Sequence, residues 1–376
     1  MEAADMMART HTTTAHRTEA AGVTGASAFA RIAFAVYTLL IVYASLYPLE
    51  GWRDHGISPF AYLTSPWPRY VTGFDLAANV LGYLPYGFLC VLALHPRIRG
   101  LAAFGTALGS AALLSAGMEA FQSYLPARVA TNLDLICNIA GGACGAALGV
   151  GAVPSFLGGP LERLRTRAFL SGIEIDVGLT LLGLWLFTQL NPATLLFAAG
   201  DLRDLLQQGV GRARAPEFFI AIEAFTATAN LVSVGLLLSV LVRPGQPVRA
   251  MFAALVIAAL AVKVLAFAII MKAESVFVWV TSGAQIGLAA GVLATLAAIA
   301  LPRVARLALA AVLIMAATVA VNLAPPNAYL AATLKLWQQG HFLNFNGLTR
   351  LVSALWAFVA LTYLMFLAAR RREAVG

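Results

Sequence analysis

Apolar residues run in blocks of about 20, separated by short segments that hold proline, glycine and charged residues. An α-helix needs about 20 such residues to cross the hydrocarbon core of a bilayer. The pattern therefore predicts an all-α, polytopic transmembrane helical bundle of about ten spans. The predicted spans are Ala28–Tyr47, Asp75–Leu94, Leu101–Phe121, Leu133–Val150, Glu174–Leu196, Phe218–Val242, Ala250–Met271, Phe277–Leu301, Val304–Leu323 and Leu348–Ala368. The fifth of these is the least regular, because Asn191-Pro192 can end it before Leu196.

The break after the fourth block predicts the domain organisation. Residues 154–173 hold glycine, proline and arginine, which is typical of a cytoplasmic linker. We therefore expect a four-helix transmembrane domain at residues 28–153 and a six-span transmembrane domain at residues 174–370. Residues 1–27 are rich in threonine, alanine and histidine and lack apolar periodicity, which predicts a disordered cytoplasmic tail.

Composition and charge support a location in the membrane. The chain is 60% hydrophobic and 11% charged, whereas a soluble domain carries about 25% charged residues. Lysine and arginine are more frequent in the loops on the side of the N-terminus, which predicts a cytoplasmic (inner) membrane protein with both termini in the cytoplasm. The net charge of +8 does not indicate a nucleic-acid partner, because the basic residues lie in short loops and form no basic stripe.

Cysteine and histidine positions give no sign of a metal site. Cys90, Cys137 and Cys144 all fall inside apolar blocks, where they suit a packing role. The histidines lie in the tail, in loops or at span edges, and no span holds a histidine pair at ligand spacing. We therefore expect neither a metal nor a cofactor.

The first four spans contain an internal repeat. Residues 72–82 and 131–141 share the pattern T-x-x-D-L-x-x-N-[VI]-x-G without gaps. Each copy opens an even-numbered span, so both start on the outer side and the repeat is parallel. Threonine followed three residues later by aspartate is typical of a capped helix start, so Asp75 and Asp134 could serve either as capping groups or as site residues.

Further polar and small residues follow on the repeated helices. Asn79 and Asn138 lie one turn deeper than the aspartates and need hydrogen-bond partners inside the membrane. Those partners could belong to an interhelical contact or to a shared interior site. Gly141, Gly145 and Gly149 recur every fourth residue, a pattern that lets helices approach closely.

A polar constellation is predicted at the outer interface. Glu119 and Gln122 share a helix face at the end of the third span, and Arg128 follows shortly before the helix that carries Asp134. These groups and Asp75 could form an ion-paired structural lock or bind a polar headgroup. We favour binding, because an ionisable residue inside a membrane segment marks a functional site by default.

The order of these residues resembles the VanZ-like family. The resemblance covers roughly residues 30–150 and rests on Asp75, Asn79 and the run Leu84-Pro85-Tyr86-Gly87, then on Glu119, Gln122, Arg128, Asp134, Asn138, Gly141 and Gly145. That family is named for a protein associated with resistance to the glycopeptide antibiotic teicoplanin. The resemblance therefore implies a role in the bacterial cell envelope, and it supplies no reaction.

The last six spans carry fewer polar groups. Glu223 and Lys263 lie at similar depths in neighbouring spans, which predicts an intramembrane ion pair, with an ion-coupling site as the alternative. An unpaired charge at mid-membrane costs about 2.5–3.5 kcal/mol even on the gentler insertion scale.

Three functions fit these patterns. The first is an accessory protein that binds a lipid, a cell-wall precursor or a glycopeptide-type amphiphile at the outer leaflet. The second is a membrane-embedded enzyme on a lipid-linked substrate, in which Glu119 or Asp134 acts as acid or base and Arg128 holds a phosphate. The third is a secondary transporter, which the span number and the parallel repeat suit. We favour binding, because no nucleophile–base pair, phosphate loop or metal motif supports an enzyme and the repeat covers only four spans.

Overall fold

The computed structural model describes residues 28–203, 214–270, 276–325 and 343–373, and the regular elements in these ranges are helices. The predicted all-α fold is confirmed. The predicted tail at residues 1–27 lies outside the described residues. The helices are α1 (Ala28–Leu46), α2 (Gly73–Leu94), α3 (Gly100–Gln122), α4 (Asn132–Phe156), α5 (Pro160–Ala168), α6 (Ile173–Thr188), α7 (Pro216–Leu241), α8 (Val248–Ile270), α9 (Ser282–Ala298), α10 (Arg303–Leu323) and α11 (Leu343–Glu373).

Eight of the described helices are long and apolar enough to cross a membrane: α1–α4, α7, α8, α10 and α11. Helix α9 is apolar but has 17 residues, and α6 has 16. The predicted fifth span extends to Leu196, but α6 already ends at Thr188. The chain turns there because Pro192 has no N–H to continue a helix and Asn191 accepts a hydrogen bond from the Ala193 N–H through its side chain (2.8 Å).

The chain forms two compact units, an N-terminal unit of residues 1–177 and a C-terminal unit of residues 178–376. The segment 154–173 is not irregular throughout, because it contains the last turn of α4 and the whole of α5. The Arg165 guanidinium on α5 donates a hydrogen bond to the buried Asp176 carboxylate in the first turn of α6. It also lies over the Phe29 ring, 5.7 Å from the ring centroid. Helix α5 is therefore fixed on both sides within the N-terminal unit.

The core of the N-terminal unit is the pair α2 and α4, which run parallel. Gly141 faces the backbone of Val80, and one turn further on Gly145 faces the backbone of Leu84. A Cβ atom at Gly145 would clash with the Leu84 carbonyl oxygen, so only glycine permits this approach. The close packing predicted from the glycine spacing is confirmed, and it joins the two copies of the repeat directly.

Helices α3 and α1 complete this unit. Helix α3 runs antiparallel to α4, and Ala107 and Ala146 belong to one buried apolar cluster with Cys90 and Val91 of α2. Helix α1 packs on α2, where the Tyr37 hydroxyl donates to the Gly82 carbonyl (2.8 Å). As a result α1 and α3 end, and α2 and α4 begin, at the same end of the unit. This end holds Asp75, Glu119 and Asp134, and we call it the acidic end.

Helix α7 lies at the centre of the C-terminal unit, and most of its residues are buried. Helix α9 approaches it closely at Gly287 and Gly291, because a Cβ there would press on Ala227 or Leu231. Helix α11 is joined to α6 through the Trp356 indole N–H, which donates to the Leu181 carbonyl (2.7 Å).

Candidate functional site

The first helix start of the acidic end is a complete capping box. The Thr72 hydroxyl accepts from the Asp75 N–H (3.2 Å), and the Asp75 carboxylate accepts from the Thr72 N–H (3.1 Å) and hydroxyl (2.7 Å). These bonds satisfy backbone donors that have no partner within the helix. Asp75 is half-buried and is held at the positive end of the α2 dipole.

The second helix start has the same residue types, but their hydrogen bonds go to different partners. The Thr131 hydroxyl again accepts from the aspartate N–H, here of Asp134 (3.0 Å). The Thr131 N–H, however, donates to the Glu119 carboxylate of α3 (2.8 Å) instead of closing a local box. The Asp134 carboxylate accepts from the Asn79 amide of α2 (2.5 Å). The two copies of the repeat are thus linked through Asn79 and Asp134.

A buried polar layer of Tyr83, Ser115 and Asn138 lies one turn further into the unit. The Asn138 amide N–H donates to the Ser115 hydroxyl (2.9 Å). The Asn138 amide oxygen is buried without a hydrogen-bond partner among the described residues, and the Tyr83 hydroxyl lies beside Ser115. Ser115 was not predicted as a site residue; its signal is its position four residues before Glu119, which places both on one face of α3.

Arg128 and Gln122 fasten α1 to the acidic end. The Arg128 guanidinium donates to the carbonyls of Tyr47 (3.0 Å) and Ala44 (2.6 Å), and the Gln122 amide donates to the Ser45 carbonyl (2.9 Å). Carbonyls at a helix C-terminus have no partner within the helix and carry partial negative charge, so a cation there is favourable. Burial lowers the pKa of Arg128, and the negative charges of Glu119 and Asp134 partly oppose this shift.

The seven predicted site residues therefore divide into three groups. Asp75, Asn79, Glu119 and Asp134 meet at the acidic end, where the charge of Asp134 interacts with those of Asp75 and Glu119. Gln122 and Arg128 face α1. Asn138 belongs to the buried polar layer. Glu119 is only 3% exposed, whereas Asp75, Asn79 and Asp134 are half-buried and reach the surface.

The loop between α1 and α2 covers part of the acidic end. The Tyr62 hydroxyl donates to the Ala116 carbonyl of α3 (3.2 Å), and the Asn132 amide donates to the Ser65 carbonyl of the loop (2.7 Å). Trp52, Trp67 and Tyr70 of the same loop remain exposed. Tryptophan and tyrosine concentrate where a membrane meets water, so this loop suits an interfacial position.

The Lys263 ammonium in the C-terminal unit is held by the turn that follows α6. It is 1% exposed and donates to the carbonyls of Asn191 (2.7 Å) and Thr194 (3.0 Å). Glu223 lies near enough for the two charges to interact. The hydrogen bonds of Lys263 nevertheless go to these main-chain carbonyls, so the lysine anchors the turn at which α6 stops.

Substitution of Lys263 tests this anchoring role. Lys263→Met keeps most of the stem and leaves two carbonyls without a donor, and we expect it to lower the free energy of unfolding by about 1–3 kcal/mol. Lys263→Ala also opens a cavity, for which about 2–5 kcal/mol is expected. Thermal unfolding of the purified protein should rank the variants in that order. A larger loss for Met than for Ala would contradict the anchoring role.

Among the described residues, no group of three or more histidine, cysteine, aspartate or glutamate side chains is arranged to hold a metal ion. The polar groups that the acidic end offers are carboxylates, amides and hydroxyls. Their chemistry suits the recognition of a polar or charged group by hydrogen bonds and charge.

Comparison with known proteins identifies the N-terminal unit. The family model VanZ/LLP1 matches residues 33–152, a range that contains the acidic end and the α2/α4 contact. No curated protein and no solved structure matches the chain. In the described residues beyond the match, the regular elements are helices. The chain therefore carries a VanZ/LLP1 domain in its N-terminal part, at residues 33–152.

Proposed function

We propose that the VanZ/LLP1 domain binds the polar end of an amphiphile at the outer leaflet of the cytoplasmic membrane. In this proposal both termini are cytoplasmic, so the acidic end faces outward. The observation that carries the proposal is the group of half-buried polar side chains of Asp75, Asn79 and Asp134, held in place where two helices begin.

The interior of the domain favours the binding of a ligand over its transport across the membrane. Beneath the buried polar layer, the helices close on an apolar cluster that includes Val91, Ala103 and Ala107, all at most 1% exposed. A polar group that enters from the acidic end would meet hydrogen-bonding partners first and an apolar barrier next. The tight α2/α4 contact holds these partners in fixed positions, which lowers the entropy cost of binding.

The ligand classes that suit this position are membrane lipids, cell-wall precursors and glycopeptide-type amphiphiles. Each has a polar group that can reach the acidic end and an apolar part that can remain in the lipid. Capture of such a molecule outside the membrane would give the protein an accessory role in the bacterial envelope, including antibiotic resistance if the ligand is a drug.

A binding titration tests the proposal. The full chain in nanodiscs is titrated with bacterial phospholipids, a lipid-linked peptidoglycan precursor and teicoplanin, with empty nanodiscs subtracted. We expect saturable binding of at least one ligand and an affinity loss of about tenfold or more for Asp134→Asn, because that change removes a charged acceptor. Glu217→Gln, an exposed carboxylate of the C-terminal unit, is the matched control and should bind normally. Absence of saturable binding across this panel would contradict the proposal.

A further inference from the structure

Helix α5 exposes two kinds of residue side by side. Leu161 and Leu164 are 44% and 64% exposed. They lie three residues apart and share one face of the helix. Arg163 and Arg167 lie four residues apart, are also exposed, and share a second face. Exposed leucines flanked by arginines are typical of a helix that lies at the boundary between a membrane and water.

The third arginine of α5 fixes which side of the helix is turned outward. Arg165 donates to the buried Asp176 carboxylate at the start of α6, and its guanidinium lies over the Phe29 ring at the start of α1. Rotation of α5 about its own axis would break both contacts. The two exposed leucines therefore cannot turn into the N-terminal unit, and only a partner outside that unit can remove them from water.

The position of α5 brings a membrane surface within its reach. Three residues separate it from Phe156, the last residue of α4, which is long and apolar enough to cross a membrane. Because α4 begins at the acidic end, α5 lies at the opposite end of the N-terminal unit. Phe156 before α5 and Ile173 after it are exposed apolar residues as well. The exposed leucines are thus continuous with the apolar surface of a membrane span.

The charged residues at this opposite end favour an anionic partner. Among the described residues, the helix ends and loops that meet there carry six arginines and three acids, besides His95: Arg31, Arg97, Arg99, Arg163, Arg165, Arg167, Glu162, Glu174 and Asp176. Asp176 is paired with Arg165, whose charge also interacts with that of Glu162. The Arg163 guanidinium donates to the Gly159 carbonyl (3.4 Å), which carries no net charge. Positive charge therefore remains for an anion.

We propose that α5 docks on the surface of anionic phospholipids at the end of the N-terminal unit opposite the acidic end. Leu161 and Leu164 enter the boundary of the acyl chains, while Arg163 and Arg167 bind lipid phosphates, whose oxygens suit the donor fork of a guanidinium. In the proposed orientation this surface is the cytoplasmic leaflet. The inference does not rest on the proposed function, because the two surfaces lie at opposite ends of the unit.

Two lipids with the same acyl chains and the same fluorescent label test the charge selectivity. The purified full chain in a nonionic detergent is titrated with labelled phosphatidylglycerol and with labelled phosphatidylcholine. Each arginine near an anionic surface strengthens binding about fivefold, so we expect phosphatidylglycerol to bind about tenfold more tightly or better. Arg163→Gln and Arg167→Gln should each weaken that preference, and the double variant should remove most of it. The two single variants keep the test valid if the double variant does not fold.

A matched pair of substitutions separates a site on α5 from a general effect of charge. Arg53→Gln combined with Arg69→Gln removes the same charge from exposed arginines at the acidic end and should leave the preference unchanged. An equal loss in this control pair would overturn the inference, and so would a parent protein that binds both lipids alike.

A tryptophan at position 164 tests the docking itself. Leu164→Trp is placed in nanodiscs of phosphatidylglycerol with brominated acyl chains, and the emission of the parent protein is subtracted. We expect the added emission to be quenched, because a bromine atom must approach the ring to quench it. Emission that brominated lipid leaves unchanged would show that water or another part of the chain covers this face, and would overturn the inference.

Discussion

The Gly145→Leu variant is expected to leave the N-terminal unit unfolded in the membrane. The Cβ of a side chain at this position would clash with the Leu84 carbonyl oxygen, and that oxygen belongs to a helix backbone that cannot rotate away. Separation of α2 from α4 would also break the hydrogen bond between Asn79 and Asp134. We expect a loss of more than about 4 kcal/mol in the free energy of unfolding, measured by titration with sodium dodecyl sulfate in mixed micelles.

Gly151 supplies the control for this experiment. It lies on the same helix, is exposed, and has open space where a Cβ would be placed. Gly151→Leu should fold normally and can gain up to about 1 kcal/mol from the better helix propensity of leucine. If Gly145→Ala unfolded at the same denaturant concentration as the parent protein, the close approach of the two helices would be wrong.

The Arg128→Ala variant is expected to release the end of α1 from the rest of the N-terminal unit. The Ala44 and Tyr47 carbonyls would lose a charged donor, and Glu119 and Asp134 would lose the positive charge that offsets them. Hydrogen bonds to charged groups contribute about 1.5–3 kcal/mol each, so we expect a loss of about 3 kcal/mol or more. The loss is measured as a lower free energy of unfolding and as faster proteolysis of the loop between α1 and α2.

Arg69 provides the matched control, because it is an exposed arginine of that same loop. Arg69→Ala should change neither the free energy of unfolding nor the proteolysis rate. Arg128→Lys should recover part of the loss, because an ammonium can reach one carbonyl but lacks the fixed fork of donors that serves two. Equal stability of Arg128→Ala and the parent protein would show that α1 is held by apolar packing alone.

Apolar periodicity was sufficient to predict most of the helices, because their spans are long and carry few interior charges. It carried the fifth span to Leu196, because apolar residues continue past Asn191 and Pro192. Helix α6 ends at Thr188 instead, next to the Asn191-Pro192 pair that the sequence offered as an earlier end. At Thr72 the local pattern predicted the complete capping box. At Thr131 the same pattern also predicted a complete box, but only half of it forms, because the Thr131 N–H donates to Glu119, which belongs to another helix.

The residues of the candidate site could be found from their order, but their partners could not. Arg128 and Lys263 both donate to main-chain carbonyls. A carbonyl has no side-chain identity, so no residue pattern marks it as an acceptor. The sequence also did not indicate Ser115 as the partner of Asn138, because serine is a small residue that occurs in membrane helices in many roles.

At the start of α4 the Thr131 N–H donates to Glu119 of α3 instead of to Asp134 of its own helix. This contact has a consequence for the order of membrane insertion. A helix that caps itself, as α2 does, can begin as soon as its own residues emerge. The first turn of α4 instead uses Glu119 from α3 and Asn79 from α2, both of which precede it in the chain. Synthesis from the N-terminus therefore supplies each partner before it is needed, and we expect α4 to complete the four-helix assembly by docking onto helices already in the bilayer.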